Sequence, residues 1–163
     1  STMQIESSRK LGLSASQTMR TAQRLYEGTD IKGETTGLIT YMRTDSVIMS
    51  KEAINQVQSF VTDNYGANYL PEFPRVYKSK AKNAQEAHEC IRPTNIYLTP
   101  RDIKQYITLE EYKLYEIIWQ RAVSSQMASA VLDQVAVDIT NEDKKIVLRA
   151  NGSTIILQVG FST

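Results

Sequence analysis

Apolar residues recur mostly at helical spacing as far as about Ser129 and at strand spacing beyond Ala130. The first stretch predicts a short helix from about Met3 to Leu11, ended by Gly12, which tolerates the positive φ of a helix C-terminus. Ser14 then caps a second helix, with Gln17 completing a capping box and Ala15, Met19, Ala22 and Tyr26 as its apolar stripe. Arg20 and Arg24 share the polar side. Two helices joined through a glycine turn form either a helix-turn-helix, whose second helix enters a groove of DNA, or an ordinary helical hairpin.

From Gly28 to Gly37 the chain turns polar and reads as a loop, with the hairpin wing of a winged helix as one form of it. Leu38 to Met42 reads as a short strand, with Ile39, Tyr41 and Arg43 on one face and Leu38, Thr40 and Met42 on the other. Ser50 caps a helix running to about Tyr65, with Ile54, Val57 and Val61 inward and Gly66 as its stop. Pro71 and Pro74 mark an irregular connection, and Gln85 to Ile91 has room for a helical turn or two before Pro93.

Thr99-Pro100 opens another short helix. Thr108 with Glu111 caps a long one reaching about Ser129, whose Tyr112, Tyr115, Ile118, Trp119, Ala122 and Met127 read as core. Beyond Ala130, Leu132, Val135, Val137 and Ile139, then Ile146 and Leu148, are strand-like, and Asn151-Gly152 is a hairpin signal before Thr154 to Val159. The expected class is α+β, mainly helical: a helix-turn-helix or winged-helix-like domain over residues 1–130, then an antiparallel strand meander over residues 131–163. Such a meander needs a surface to pack on, so the chain is expected to continue beyond Gly160-Phe161.

Composition narrows the class without fixing it. No stretch approaches the roughly 20 apolar residues that span a bilayer, the first ten residues lack a secretory pattern, and Cys90 is the single cysteine. A cytoplasmic location without membrane contact is the expectation. A net charge of +1 argues against a wholly basic nucleic-acid coat but leaves room for a local basic surface. Arg75, Lys78, Lys80 and Lys82 form such a run around Tyr77, which also reads as a solvated face.

Tyr41 and Arg43 are the first candidates for chemistry. A phenol with an unperturbed pKa of about 10 is a poor nucleophile near neutrality. A guanidinium beside it would stabilise charge on an attacked phosphate and offer it a fork of donors, a grouping suited to phosphoryl transfer. An ordinary strand tyrosine fits the same pattern. His88 is the single histidine, able to act as acid, base or phosphate donor, or simply to sit on a helix end. One His and one Cys cannot build a zinc site unaided, and neither a glycine-rich phosphate loop nor a serine hydrolase elbow is present.

Gly37 to Ser46 reads GLITYMRTDS, which resembles the active-site signature of type IA DNA topoisomerases. Lys82 to Thr94, KNAQEAHECIRPT, is similar to a second motif of that family, and Ser1 to Glu27 resembles the segment leading into its catalytic tyrosine. Met42 after the tyrosine resembles the bacterial topoisomerase I branch, since the topoisomerase III branch generally has proline there. Cys90 departs from the alanine usual at its position.

The resemblance implies that Tyr41 attacks a phosphodiester of single-stranded DNA, leaving a 5'-phosphotyrosine and a free 3'-hydroxyl. Another strand then passes and the break is resealed, so negative supercoils relax without ATP. By the same carry-over Arg43 positions the scissile phosphate and His88 assists near it. Arg92, Lys78, Lys80, Lys82, Arg20 and Arg24 are the expected DNA contacts. The family's Mg2+-binding Toprim domain has no counterpart in these residues. The chain is therefore expected to be the tyrosine-bearing piece of a longer enzyme acting at the bacterial nucleoid, with the remaining domains as its partners, and to be inactive alone. A non-catalytic winged-helix DNA-binding module and a structural docking domain are the competing readings.

Overall fold

The computed structural model describes residues 1–78 and 88–128. They divide into two compact units, Ser1–Ser50 with Val76–Trp119, and Lys51–Arg75 with Gln120–Thr163, the latter described as far as residue 128. The expected strands over 131–163, the lysines at 80 and 82, and most of the helical turn expected at 85–91 lie outside the described residues; the described end of that turn, from His88 to Ile91, is not helical.

In the first unit, α1 (Thr2–Leu11) ends at Gly12 as expected, and α2 (Ala15–Glu27) begins with the expected capping box. Ser14 Oγ accepts from the Gln17 amide at 3.2 Å, and Gln17 Oε1 accepts from the Ser14 amide at 3.0 Å. The two helices pack on each other.

The buried face of α2 differs from the expected stripe. Thr18, Thr21, Ala22 and Leu25 are buried, whereas Ala15 and Tyr26 are exposed and Met19 is half-buried. The true face keeps the i, i+3, i+4, i+7 spacing but is half threonine. Thr21 is accommodated because its hydroxyl finds the Gln17 carbonyl at 2.8 Å and Glu110 Oε1 at 2.5 Å.

A tight hairpin follows, β1 (Thr29–Ile31) antiparallel to β2 (Glu34–Thr36), so the segment read as a polar loop takes the hairpin form that was one of its alternatives. Lys32 and Gly33 both take positive φ, 53° and 85°, the geometry that lets a two-residue loop follow the twist of its strands. Asp30 Oδ1 accepts from the Gly33 amide at 2.8 Å.

Thr99 caps α4 (Pro100–Ile103) with Pro100 in its first turn, and the Thr108 hydroxyl accepts from the Glu111 amide to open α5 (Leu109–Ser124). Leu114, Tyr115, Ile118 and Trp119 are buried there. Tyr115 donates to the Leu98 carbonyl at 2.6 Å and Trp119 Nε1 to the Ile96 carbonyl at 2.8 Å, so both polar tips are satisfied. These adjacent turns of α5 pin the segment around 96–98.

In the second unit, α3 (Lys51–Tyr65) buries Ala53, Ile54, Val57, Phe60 and Val61 and stops at Gly66, as the pattern predicts. Ala122, Val123 and Met127 are buried as well. The buried Gln126 amide group pairs with both backbone groups of Arg75, accepting from its N–H at 3.1 Å and donating to its carbonyl at 2.8 Å.

Helix α5 ends at Ser124, five positions before the expected Ser129. Ser124 and Ser125 turn their hydroxyls onto the carbonyls of Arg121 and Ala122, and the backbone tightens into three-residue turns at Gln126 and Met127. Among the described residues no helix is long and apolar enough to cross a membrane.

Candidate active site

The segment bearing Tyr41 is held from two sides of the first unit. On one side lies the C-terminal turn of α2, whose Leu25 carbonyl accepts from the Leu38 amide at 2.8 Å. Gly37 passes so close to this turn that a β-carbon built on it would stand 2.9 Å from the Tyr26 carbonyl oxygen. A side chain here would displace backbone, which is the physical reason for the glycine.

On the other side runs the segment from Cys90 to Thr94, antiparallel to Leu38–Thr40. Thr40 N–H donates to the Arg92 carbonyl at 2.9 Å, and Thr94 N–H to the Leu38 carbonyl at 3.0 Å. Ile39 and Pro93 face each other between these bonds, at a position where the ladder asks for no N–H and a proline does no harm. The Thr40 hydroxyl donates to the Cys90 carbonyl at 2.7 Å and accepts from the Arg92 amide at 3.0 Å. Thr94 Oγ1 donates to the Gly37 carbonyl at 2.6 Å, and the Cys90 amide to the Ile48 carbonyl at 2.7 Å. The two segments singled out in the sequence, about fifty residues apart, are thus laced together backbone to backbone.

The expected strand from Leu38 to Met42 shrinks to the single bridge at Ile39, and the chain bends at Met42 and Arg43. Leu38 and Ile39 are both buried, so Ile39 does not share an open face with Tyr41. Successive residues of the extended piece are thus both covered, and period-two alternation cannot show there. It resumes at the bend. Tyr41 is 44% exposed, Met42 is 4% exposed and anchors the bend, and Arg43 is exposed. Thr44 Oγ1 then accepts from the Ser46 amide and Ser46 Oγ from the Ile48 amide, so the polar residues of the motif satisfy its own irregular backbone.

His88 is exposed two residues before Cys90, on the segment that Cys90 ties to Thr40 and Ile48. Arg92 is half-buried and engaged. Its Nε and Nη2 reach Glu89 Oε2 at 2.7 and 2.5 Å, and Nη1 donates to the Pro93 carbonyl at 3.0 Å. Arg20 and Arg24 are exposed on α2, Arg24 standing 3.9 Å from Glu111 Oε1, and Lys78 is exposed. Sequence reasoning missed Thr40, Thr94 and Glu89 as clamp residues; their signal was their place inside the two motifs.

Tyr26 was also missed, having been read as core. It is 42% exposed, and its ring meets the Tyr41 ring edge to face, centroids 5.4 Å apart at 66°.

Among the described residues no group of three or more His, Cys, Asp or Glu side chains is placed to hold a metal ion. What the arrangement offers is an outward phenol on a tightly fixed backbone, with a guanidinium two residues on and an imidazole on the clamped segment.

The family model described as DNA topoisomerase matches residues 1–163. The chain is 53% identical over 155 residues to DNA topoisomerase 1 of Rickettsia bellii, covering 95% of this chain and 19% of that protein. It is 48% identical over 162 residues to DNA topoisomerase 1 of Xylella fastidiosa, covering 99% of this chain and 20% of that one. The structure resembles full-length topoisomerase I from Thermotoga maritima with a TM-score of 0.66 at 40% identity, over 77% of this chain and 19% of that one. The chain spans about a fifth of the length of these relatives. Matched along its whole length in sequence and over most of it in structure, the chain belongs to the bacterial type IA DNA topoisomerase family and is similar to its topoisomerase I members.

Proposed function

We propose that this chain is the tyrosine-bearing part of a DNA topoisomerase I and that Tyr41 is the nucleophile with which the full enzyme opens one DNA strand. The carrying observation is the clamp: backbone bonds from Leu25, Arg92 and Thr94 fix residues 38–40, and Tyr41 emerges from them exposed. In the reaction a bond forms between Tyr41 Oη and phosphorus as the bond from phosphorus to the 3'-oxygen breaks. The phenolic proton is lost and the departing 3'-oxygen gains one. The phosphotyrosine keeps the energy of the broken linkage, so resealing after strand passage needs no ATP, and negatively supercoiled DNA relaxes.

Arg43 is assigned to the scissile phosphate, where a guanidinium lowers the charge developing on the non-bridging oxygens. His88 is assigned to the same phosphate or its neighbour as donor or proton carrier. Arg92, held by Glu89 and the Pro93 carbonyl, steadies the segment that presents His88 and is assigned to DNA contact. Lys78, Lys80 and Lys82 are assigned to the DNA backbone. Arg20 and Arg24 are assigned to it from α2, with α1, α2 and the β1–β2 hairpin serving as a winged-helix-like DNA-binding element. The single-stranded region of the supercoiled duplex and the other domains of the polypeptide are the partners, in the bacterial cytoplasm.

The test is trapping of a denaturation-resistant adduct on labelled single-stranded DNA by the full-length enzyme carrying this sequence. Tyr41→Phe should abolish the adduct, and adduct persisting in that variant would refute the assignment. A non-catalytic winged-helix module would form no adduct in either case.

A further inference from the structure

We infer that Tyr26 is a positioning residue for Tyr41: its ring, seated on the last turn of α2, sets the orientation from which the Tyr41 phenol meets the phosphate. The inference rests on the reading of Tyr41 as nucleophile.

Tyr41 lies where the clamp ends and the chain bends, so its backbone is fixed while its side chain is 44% exposed. An exposed phenol exchanges between rotamers, and each exchange moves the nucleophilic oxygen by far more than phosphoryl transfer tolerates. The edge-to-face contact with Tyr26 opposes that exchange.

Tyr26 is suited to the task by its anchorage. It follows Leu25, which is fully buried and whose carbonyl holds Leu38, while the Tyr26 carbonyl is the atom that leaves no room for a side chain on Gly37. Ring and backbone of one residue therefore act on the two ends of the segment from Gly37 to Tyr41. Core packing does not explain the aromatic, because it lies off the buried face formed by Thr18, Thr21, Ala22 and Leu25 and is 42% exposed.

The experiment compares Tyr26→Ala, Tyr26→Phe and Tyr41→Phe in the full-length enzyme, reading single-turnover adduct formation, equilibrium affinity for the same single-stranded DNA, and thermal unfolding. An aromatic edge contact shifts a local equilibrium about three- to tenfold, and Tyr26→Ala should slow adduct formation by that factor. Its DNA affinity should stay within about twofold and its unfolding midpoint near wild type. Tyr26→Phe, which keeps the ring, should restore the rate.

Three results would overturn the inference: a rate for Tyr26→Ala within about threefold of wild type, a defect carried by lost DNA affinity, or a Tyr26→Phe as slow as Tyr26→Ala. The first would show no positioning, the second a base-stacking platform, and the third a hydroxyl function. Tyr41→Phe keeps the two claims apart, since adduct in that variant would defeat the nucleophile assignment whatever Tyr26 does.

Discussion

Thr40 grips Arg92 through both of that residue's backbone groups, donating its own N–H to the Arg92 carbonyl at 2.9 Å and accepting the Arg92 N–H on its hydroxyl at 3.0 Å. The same hydroxyl donates to the Cys90 carbonyl at 2.7 Å. One side chain next to Tyr41 thus satisfies two backbone groups of the segment that carries His88. Thr40→Val keeps the shape and removes the oxygen, leaving a donor and an acceptor without their partner. A destabilisation of about 1–3 kcal/mol follows, measurable by denaturant unfolding, with slower adduct formation in the full-length enzyme. Wild-type stability and rate together would show that the hydroxyl is dispensable.

Gly37→Ala places a β-carbon 2.9 Å from the Tyr26 carbonyl oxygen, which cannot rotate away as a side chain would. The expected loss is about 1–3 kcal/mol with a shifted Tyr41, seen as a lowered unfolding midpoint and a slower cleavage step. An unchanged midpoint would mean that the end of α2 yields more easily than its packing implies.

Tyr115→Phe removes the hydroxyl bonded to the Leu98 carbonyl at 2.6 Å without opening a cavity. Stability should fall by about 1–3 kcal/mol. Because the 96–98 segment continues directly from the Cys90–Thr94 clamp, amide hydrogen exchange at Thr94 should accelerate in this variant. Exchange there at the wild-type rate would separate α5 from the site.

Burial, with the neighbouring Glu116 carboxylate, pushes the Tyr112 phenol up to about 12; burial also raises Tyr65, and burial with Asp102 raises Tyr115. The folded chain therefore keeps protons that the unfolded chain releases at the ordinary phenol value near 10.0. Stability from these groups is complete below about 10 and falls as pH climbs toward 12. In a tyrosinate absorbance titration near pH ~11, Tyr112→Phe and Tyr115→Phe should show the same signal as wild type while folded. A drop in signal on either substitution would contradict the raised values.

The helices were legible where backbone chemistry is local. Ser14 with Gln17, Thr99 before Pro100, and Gly66 after Tyr65 each marked an end correctly, because a cap depends on residues within one turn. The buried face of α2 was not legible, since the core there accepts two threonines, one of which, Thr21, has its hydroxyl satisfied by a carbonyl one turn back and by Glu110 on α5. A hydrophobicity pattern cannot register that partner.

At the site, the motif around Tyr41 stood out in sequence, but its strand phase did not survive. Leu38 and Ile39 are both covered, and the segment is paired through its backbone with Leu25 and with the Pro93 segment, residues outside the motif. The clamp and the Tyr26 contact depend on such contacts and became visible only with the fold.

The most direct measurement is mass spectrometry of the trapped adduct formed by the full-length enzyme, after digestion with nuclease and trypsin. Cleavage after Lys32 and Arg43 puts Tyr41 in the peptide of residues 33–43, whereas cleavage after Arg24 and Lys32 puts Tyr26 in residues 25–32. The two touching tyrosines can therefore be told apart. The account predicts the residual nucleotide on residues 33–43, at Tyr41. A nucleotide on residues 25–32, or on any other peptide, would contradict it.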